Sequence, residues 1–322
     1  MNYIGIDIAK NKFDLAWVLA GKCKKTKVCP NTEAGFKDLF EWLRKNKLTA
    51  NNCHVAMEAT SQYYEAVALA LVDAGYVVSV VNPLQIKHFG MSLLKRQKTD
   101  RADAELIARF CEVNQPQPWN APAREVRHLQ RLLARLEAVQ AMSVQEKNRL
   151  YVSVGEARDS VIRMIATLDE EIRRLQQQIR DHIDRHPDLR EQDELLKSIP
   201  GVGDSVSSYA LAWLRAERFA DVREAVAFTG LSPSHHQSGD SVNGKSCISK
   251  LGHGRLRKAL YMPALTALQH NAAAKALRER MIEAGKHKKM AVIAVMRKMV
   301  HWIYGVLKSG KPFDVNLALA KV

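Results

Sequence analysis

Four acidic residues in the first third of the chain stand where a carboxylate is costly unless it holds something. Asp7 interrupts the apolar run Tyr3-Ile4-Gly5-Ile6-Asp7-Ile8, and Glu58 closes another, Val55-Ala56-Met57-Glu58. Asp100 and Asp103 lie three residues apart at the start of an expected helix, a spacing that puts both on one face. Carboxyl ends of strands in an α/β sheet are where ligands gather. Two unit charges 4 Å apart repel by roughly 4 kcal/mol at an effective dielectric near 20, so a cluster of four calls for a cation. Hard oxygen ligands select Mg²⁺ or Mn²⁺, and a pair of such ions holds the attacking and leaving oxygens of a phosphodiester exchange. Taken singly, each residue also has an ordinary use. Asp7 serves a turn, Glu58 reaches a helix N-terminus, and Asp100 with Asp103 forms an N-cap and first-turn pair.

The C-terminal half carries a different set. Ser238 sits in Gln237-Ser238-Gly239, followed by Ile248-Ser249-Lys250-Leu251-Gly252-His253 and the basic segment Leu256-Arg257-Lys258-Ala259. A serine before glycine is usually just a turn, and its hydroxyl is a poor nucleophile until a base, metal or cation stabilises the alkoxide. The cations beside it raise its candidacy; Ser241, Ser246 and Ser249 compete. Pro200-Gly201-Val202-Gly203 before an apolar helix has the form of a helix-hairpin-helix, whose glycine turn, Gly201 and Gly203, offers backbone N–H groups to a phosphate. A plain helix-terminating turn explains it equally well. Between Lys245 and Lys298 thirteen Lys and Arg residues face only Glu279 and Glu283, and among them Lys245, Lys250, Arg255, Arg257 and Lys258 are the candidate nucleic-acid contacts. His182 and His186 lie four apart, but no glutamate follows the first, so the zinc-protease pattern fails and a solvated helix end is expected.

The elements that must position these residues fall into three segments. From Tyr3 to Val81 the periodicity predicts a hairpin (Tyr3–Ile8, Phe13–Leu19), a third strand at Lys25–Cys29, and a helix capped by Thr32 with Phe36, Leu39, Phe40 and Leu43 inward. Strand Cys53–Met57, helix Tyr63–Ala74 and strand Tyr76–Val81 follow. Alternating strands and helices argue α/β, and residues 1–118 form the expected first domain. Residues 119–187 form a helical coiled-coil connector. One stripe runs Leu129, Leu132, Leu136, Val139, Met142, and a heptad seam runs Val161, Ile165, Leu168, Ile172, Leu175, Ile179. Residues 188–322 form a mainly α-helical domain with the helix-hairpin-helix-like segment and the positive charge.

The formal net charge of +15 over 322 residues attracts polyanions, nucleic acid first among them, with an anionic membrane as the rival. No apolar run in the sequence approaches a membrane span, and the N-terminus enters a strand without a signal peptide, so a cytoplasmic, nucleoid-associated protein is expected. Cys23, Cys29, Cys53, Cys111 and Cys247 are odd in number and unpaired in spacing, which predicts reduced thiols with packing roles.

The segments Gly5-Ile6-Asp7-Ile8-Ala9-Lys10, Met57-Glu58-Ala59-Thr60 and Lys98-Thr99-Asp100-Arg101-Ala102-Asp103-Ala104 together resemble the Asp-Glu-Asp-Asp signature of a large bacterial insertion-sequence transposase family. That family is related in fold to RuvC junction resolvases and includes site-specific DNA invertases. It also carries, in this order, a Ser-Gly loop and a Ser-Lys-x-Gly-His segment, so the likeness spans nearly the whole chain. The chain departs from the pattern at Asp240 and at His235-His236. The resemblance implies an RNase H-like (RuvC-like) N-terminal domain, with the ends of its first and fourth strands side by side and Mg²⁺ held by Asp7, Glu58, Asp100 and Asp103. It places the nucleophile on Ser238, attacking a DNA phosphodiester to leave a phosphoserine link. It further implies donor and target DNA as substrates, a structured noncoding guide RNA, and homodimers that pair into tetramers. The heptad connector offers a dimer seam, so one active site drawn from two subunits is a further expectation. Two other classes stand beside this one: a RuvC-like metal-dependent junction nuclease for which Ser238 is dispensable, and a non-catalytic nucleic-acid scaffold.

Overall fold

A computed structural model describes residues 1–59, 63–93, 99–234, 237–238, 242–243 and 247–320, with backbone alone at 237–238 and 242–243. The chain divides into two compact units, Met1–Ala121 and Pro122–Val322.

The first unit is a mixed five-stranded sheet. Strands β1 (Asn2–Ile8), β2 (Lys12–Leu19) and β3 (Lys22–Pro30) form an antiparallel meander. After α1 (Glu33–Lys45), β4 (Cys53–Glu58) lies parallel to β1. Helix α2 (Glu65–Asp73) leads to β5 (Val77–Val81), parallel to β4, and α3 (Pro83–Ser92) and α4 (Asp100–Asn114) follow. The strand order β3-β2-β1-β4-β5 puts β1 beside β4, consistent with the RNase H-like expectation. Thr32 caps α1 as predicted, its side chain accepting from the Gly35 amide. Alternation along the strands separates two faces. Ile4, Ile6, Ile8, Phe13, Leu15, Val55 and Met57 pack under α1 and α2 with Leu39, Leu43 and Leu71. Tyr3 and Ala56 face the other way, toward Ile107 and Phe110 of α4. Gly5 belongs to this second face, and a Cβ there would stand 2.1 Å from the Ala104 carbonyl oxygen and 2.3 Å from the Ala108 nitrogen. Only glycine lets the backbone of α4 lie directly on β1. Cys29, Cys53 and Cys111 are buried packing residues, as expected, whereas Cys23 is half-buried and Cys247, against the expectation, exposed; burial pushes the Cys53 thiol up to about 11 and that of Cys111 up to about 12.

In the second unit α5 (Arg124–Leu150) and α6 (Gly155–Arg185) form a long antiparallel pair. Then come α7 (Pro187–Lys197), α8 (Asp204–Trp213) and α9 (Val222–Thr229), and two short pairings of β6 (Pro233–Ser234) with β9 (Cys247–Ile248) and β7 (Gln237–Ser238) with β8 (Val242–Asn243). Helices α10 (Gly254–Ala259), α11 (Tyr261–His270), α12 (Ala272–Glu283), α13 (Lys288–Ser309) and α14 (Val315–Leu319) complete it.

Several expectations need correction here. The helical pair is not separate from the C-terminal core at residue 187: Leu129, Leu133, Leu136, Leu175, Ile179 and Ile183 join one hydrophobic cluster with Leu196, Leu211 and Met299. The inner stripe of α5 runs through Leu133, while Met142 is 45% exposed, because the face that packs on α6 must also meet α8. His182 is not solvated. It is buried, its Nε2 lies 2.8 Å from the Glu125 carbonyl, and its ring packs, tilted, between those of His128 and His186. Helix α13 is, by length and composition alone, long and apolar enough to cross a membrane, although Arg297 and Lys298 interrupt its apolar run, in keeping with the reading of the sequence. Half of that stretch is buried in the unit, where Val295, Met299, Val300 and Ile303 join the shared core, as in a soluble core helix.

Candidate active site

Register and alternation assemble the carboxylates. Asp7 faces Asp14 across the β1–β2 pair, and β1 runs beside β4 with Ile6 opposite Met57, so the next residues outward are Asp7 and Glu58. Since Ile6, Met57, Phe13 and Leu15 point to the α1 side, Asp14, Asp7 and Glu58 share the opposite face, in a row across three strands. Helix α4 covers that same face, and Thr99 caps it by accepting from the Ala102 amide. The cap and the close contact at Gly5 set the first turn, with Asp100 and Asp103, beside Asp7.

The electrostatics record the convergence. The Asp7 carboxyl is pushed up from 3.8 to about 6, first by burial, then by the charges of Asp103, Asp100 and Asp14, against the lowering effect of the Ile8 backbone amide. Like charges directly opposite on a sheet are destabilising, so the face stores repulsion that a cation relieves. One cation is built in. Lys12 Nζ donates to Asp14 Oδ2 at 3.0 Å and to Asp100 Oδ2 at 2.7 Å. The ammonium holds Asp100 below the usual carboxylate range, and the two acids, Asp100 foremost, raise Lys12. The donor set, all carboxylate oxygen, is of the type that suits Mg²⁺ or Mn²⁺. Among the described residues, however, no three acidic, histidine or cysteine side chains already converge closely enough to enclose an ion.

Asp14 and Lys12 escaped the reading of the sequence. Counting outward from the turn at Ala9–Asn11 pairs residue 7 with residue 14, and an aspartate between Phe13 and Leu15 was the visible signal.

In the second unit Ser238 lies in β7, paired with Val242 of β8. His235, His236, Gly239, Asp240, Ser241, Lys245 and Ser246 lie outside the described residues. Ser249 is half-buried, its amide donating to the Ser232 carbonyl. Around this segment His253 acts as a structural clamp. Its ring packs against Trp213 and Phe228, Nδ1 accepts from the Leu256 amide to cap α10, and its backbone amide donates to the Phe228 carbonyl. Burial, then Arg218, Arg255 and Arg257, bring it down to about 4, so it is neutral near pH 7. Gly252 is needed here, since a Cβ would stand 2.4 Å from the Phe228 carbonyl oxygen.

The candidate nucleic-acid contacts divide. Arg257 is engaged within the protein, donating to the Thr229 carbonyl at 2.9 Å, and Arg255 pairs with Glu137 at 2.9 Å. Lys250 and Lys258 are exposed. Gly201 takes a φ of +100° and approaches α11, where a Cβ would meet Ala267 and the Pro263 carbonyl at 3.0 Å. Gly203 opens on free space at the start of α8. A cleft of about 490 Å³ runs past Gly201, Gly203, Tyr209, Arg255 and Lys258.

Comparison with known proteins agrees with this architecture. Over 98% of each chain, the sequence is 33% identical to pilin gene-inverting proteins of Moraxella bovis and of Moraxella lacunata. Residues 4–154 match a family described as Transposase, and residues 193–279 match the Transposase IS116/IS110/IS902 family. The chain belongs to the IS110 family of transposases. A more distant IS110 relative, an uncharacterized 43.6 kDa insertion-element protein of Streptomyces coelicolor, is 23% identical over 49% of this chain and 38% of its own. The first family match takes in Asp7, Glu58, Asp100 and Asp103, and the second takes in Ser238. The IS110-family assignment is that of a DNA-modifying enzyme.

Proposed function

We propose that this IS110-family transposase cuts and rejoins DNA through a phosphoserine intermediate formed on Ser238, with Mg²⁺ at Asp7, Glu58, Asp100 and Asp103. The observation that carries the reading is the crowding of Asp7 by Asp103 and Asp100 at the meeting of β1, β4 and α4, which makes an acidic face of the kind that binds hard cations. Bound there, Mg²⁺ supplies Lewis-acid stabilisation of charge on phosphodiester oxygens. Asp7 and Glu58 would hold it from the strand ends, and Asp100 and Asp103 from the helix.

At Ser238 the hydroxyl oxygen attacks phosphorus and gives up its proton, one phosphodiester P–O bond breaks, and the departing sugar oxygen takes a proton. The bond energy is kept in the serine ester, so a second sugar hydroxyl reverses the step and reseals the strand without ATP. Gly203, Lys250 and Lys258 are the exposed members of the candidate nucleic-acid surface, with Gly201 shaping the turn of a helix-hairpin-helix-like unit formed by α7 and α8. Lys245 completes that set. Arg255 and Arg257 join it as residues that hold the surface together. Kinship with the gene-inverting relatives supports donor and target DNA as substrates, and the family resemblance supports a noncoding guide RNA. The family resemblance supports a dimer pairing into a tetramer and a cytoplasmic, nucleoid-associated location; because the inner faces of α5 and α6 are used within the unit, the seam of that dimer would lie at the exposed apolar tip between them.

Denaturing electrophoresis of the protein with Mg²⁺, element-flanking DNA and its candidate RNA tests the reading. Wild type gives a protein-linked DNA band that is lost in Ser238→Ala and in Asp103→Ala, and that requires the RNA. Free cut ends that survive Ser238→Ala would make it a junction nuclease, and DNA binding with no cleavage would make it a scaffold.

A further inference from the structure

The contact between Lys12 and Asp100 crosses from β2 to the first turn of α4, 88 residues away, and lands on a carboxylate assigned above to the metal. We infer that Lys12, anchored on Asp14, is the carboxylate site's own counter-cation, and that it occupies Asp100 in the metal-free protein and competes with the divalent ion for it. The inference rests on the proposed metal-binding role of the carboxylates.

Three observations carry it. Lys12 and Asp14 are two residues apart on β2, so both side chains stand on the face that carries Asp7. Asp14 is 8% exposed, a buried carboxylate among like charges, and it is ion-paired with Lys12. Asp14 thereby fixes the ammonium at 3.0 Å, while the same ammonium reaches Asp100 at 2.7 Å. Finally, the Lys12–Asp100 contact joins β2 to the first turn of α4, so an ion that claims the same Asp100 oxygen must displace the ammonium from it.

An ammonium is a compact point charge on a flexible four-carbon stem. Rotation about that stem releases Asp100 while Asp14 keeps its partner, and the backbone stays where it is. Lys12 and Asp14 therefore act as positioning residues. They hold α4 against the sheet when the site lacks metal, and they set how tightly the ion must bind to claim Asp100.

The test is Mn²⁺ binding to the full DNA-free chain, followed by the electron paramagnetic resonance of free Mn²⁺, for wild type, Lys12→Met, Asp100→Asn and the double variant. Removing the competitor tightens Mn²⁺ about fivefold, the upper range for an exposed ion pair. In the Asp100→Asn background the same change has almost no effect, because the two residues act as one unit. Lys12→Arg keeps a cation and stays near wild type. Equal tightening in both backgrounds would reduce Lys12 to a distant charge and overturn the inference, as would unchanged or weaker binding in Lys12→Met. A second readout avoids Asp100→Asn altogether, should that variant bind too weakly. Acylation of the wild-type Lys12 amine, followed by mass spectrometry, speeds up several-fold on adding Mn²⁺ as the ammonium lets go of Asp100, and an unchanged rate overturns the inference. No Mn²⁺ binding by wild type or Lys12→Met would bring down the carboxylate metal site itself, a failure distinct from the others.

Discussion

Asp7 and His253 show how single side chains set the pH range of this protein. In the unfolded chain Asp7 titrates near 3.8 and in the folded chain near 6. Between those values the folded state binds more protons, so this group's effect is that stability falls as pH rises from about 4 to 6. The carboxyl is only partly buried, and after allowing for solvent screening the loss is on the order of 1–2 kcal/mol. Urea unfolding of the metal-free protein at pH 4.5 and pH 7 should show Asp7→Asn gaining that much on wild type at the higher pH, while Mn²⁺ binding collapses. His253 acts in the opposite sense. Its value is about 4 folded against 6.5 unfolded, so the stability it contributes is present above 6.5 and is lost as pH falls toward 4. His253→Gln should unfold less steeply with acid than wild type, by roughly 2 kcal/mol between pH 7.5 and 4.5. An equal acid response would show that the ring is solvated.

At the scale of elements, the contact of α4 with β1 decides whether an acidic site exists. Gly5→Ala places a methyl group inside the Ala104 carbonyl, and either the helix lifts or the strand bends. Overpacking of this kind costs roughly 1–3 kcal/mol, and the lifted helix carries Asp100 and Asp103 away from Asp7. Calorimetry should show the transition of the first unit falling while that of the second is unmoved, and the variant should lose Mn²⁺ affinity. A single transition that shifts as a whole would mean the two units melt together. Most of these elements were legible in the sequence: the hairpin, the Thr32 cap, β4 ending at Glu58 and α4 beginning at Asp100 follow from alternation, turn residues and capping chemistry. The inner stripe of α5 was not, because periodicity gives a face and not a partner. Leu133 is buried and Met142 left out according to where α6 and α8 lie.

At the scale of the whole molecule, the described chain is two units, and the long pair α5–α6 belongs to the core of the second. Its far end is different. Tyr151, Val152 and Val154 at the tip are 89%, 82% and 80% exposed, and Ile162 and Met164 nearby are about half exposed. Apolar residues grouped in this way mark an association surface. For the proposed dimer, Tyr151→Glu combined with Val152→Glu should lower the mass measured by light scattering toward that of the monomer, leaving the helical circular dichroism unchanged. Retention of the dimer would move the seam elsewhere.

Sequence by itself determined the four carboxylates, the strand and helix order that carries them, the concentration of positive charge, and the family likeness, because each of these is written in local spacing or residue type. Tertiary structure alone decided that Asp14 joins Asp7 on one face, that Lys12 bridges it to Asp100, that Arg257 spends its guanidinium on the Thr229 carbonyl, and that His182 is buried. Those outcomes depend on which faces meet, and a charge or ring has no partner until packing brings a residue from a distant part of the chain within about 3 Å of it.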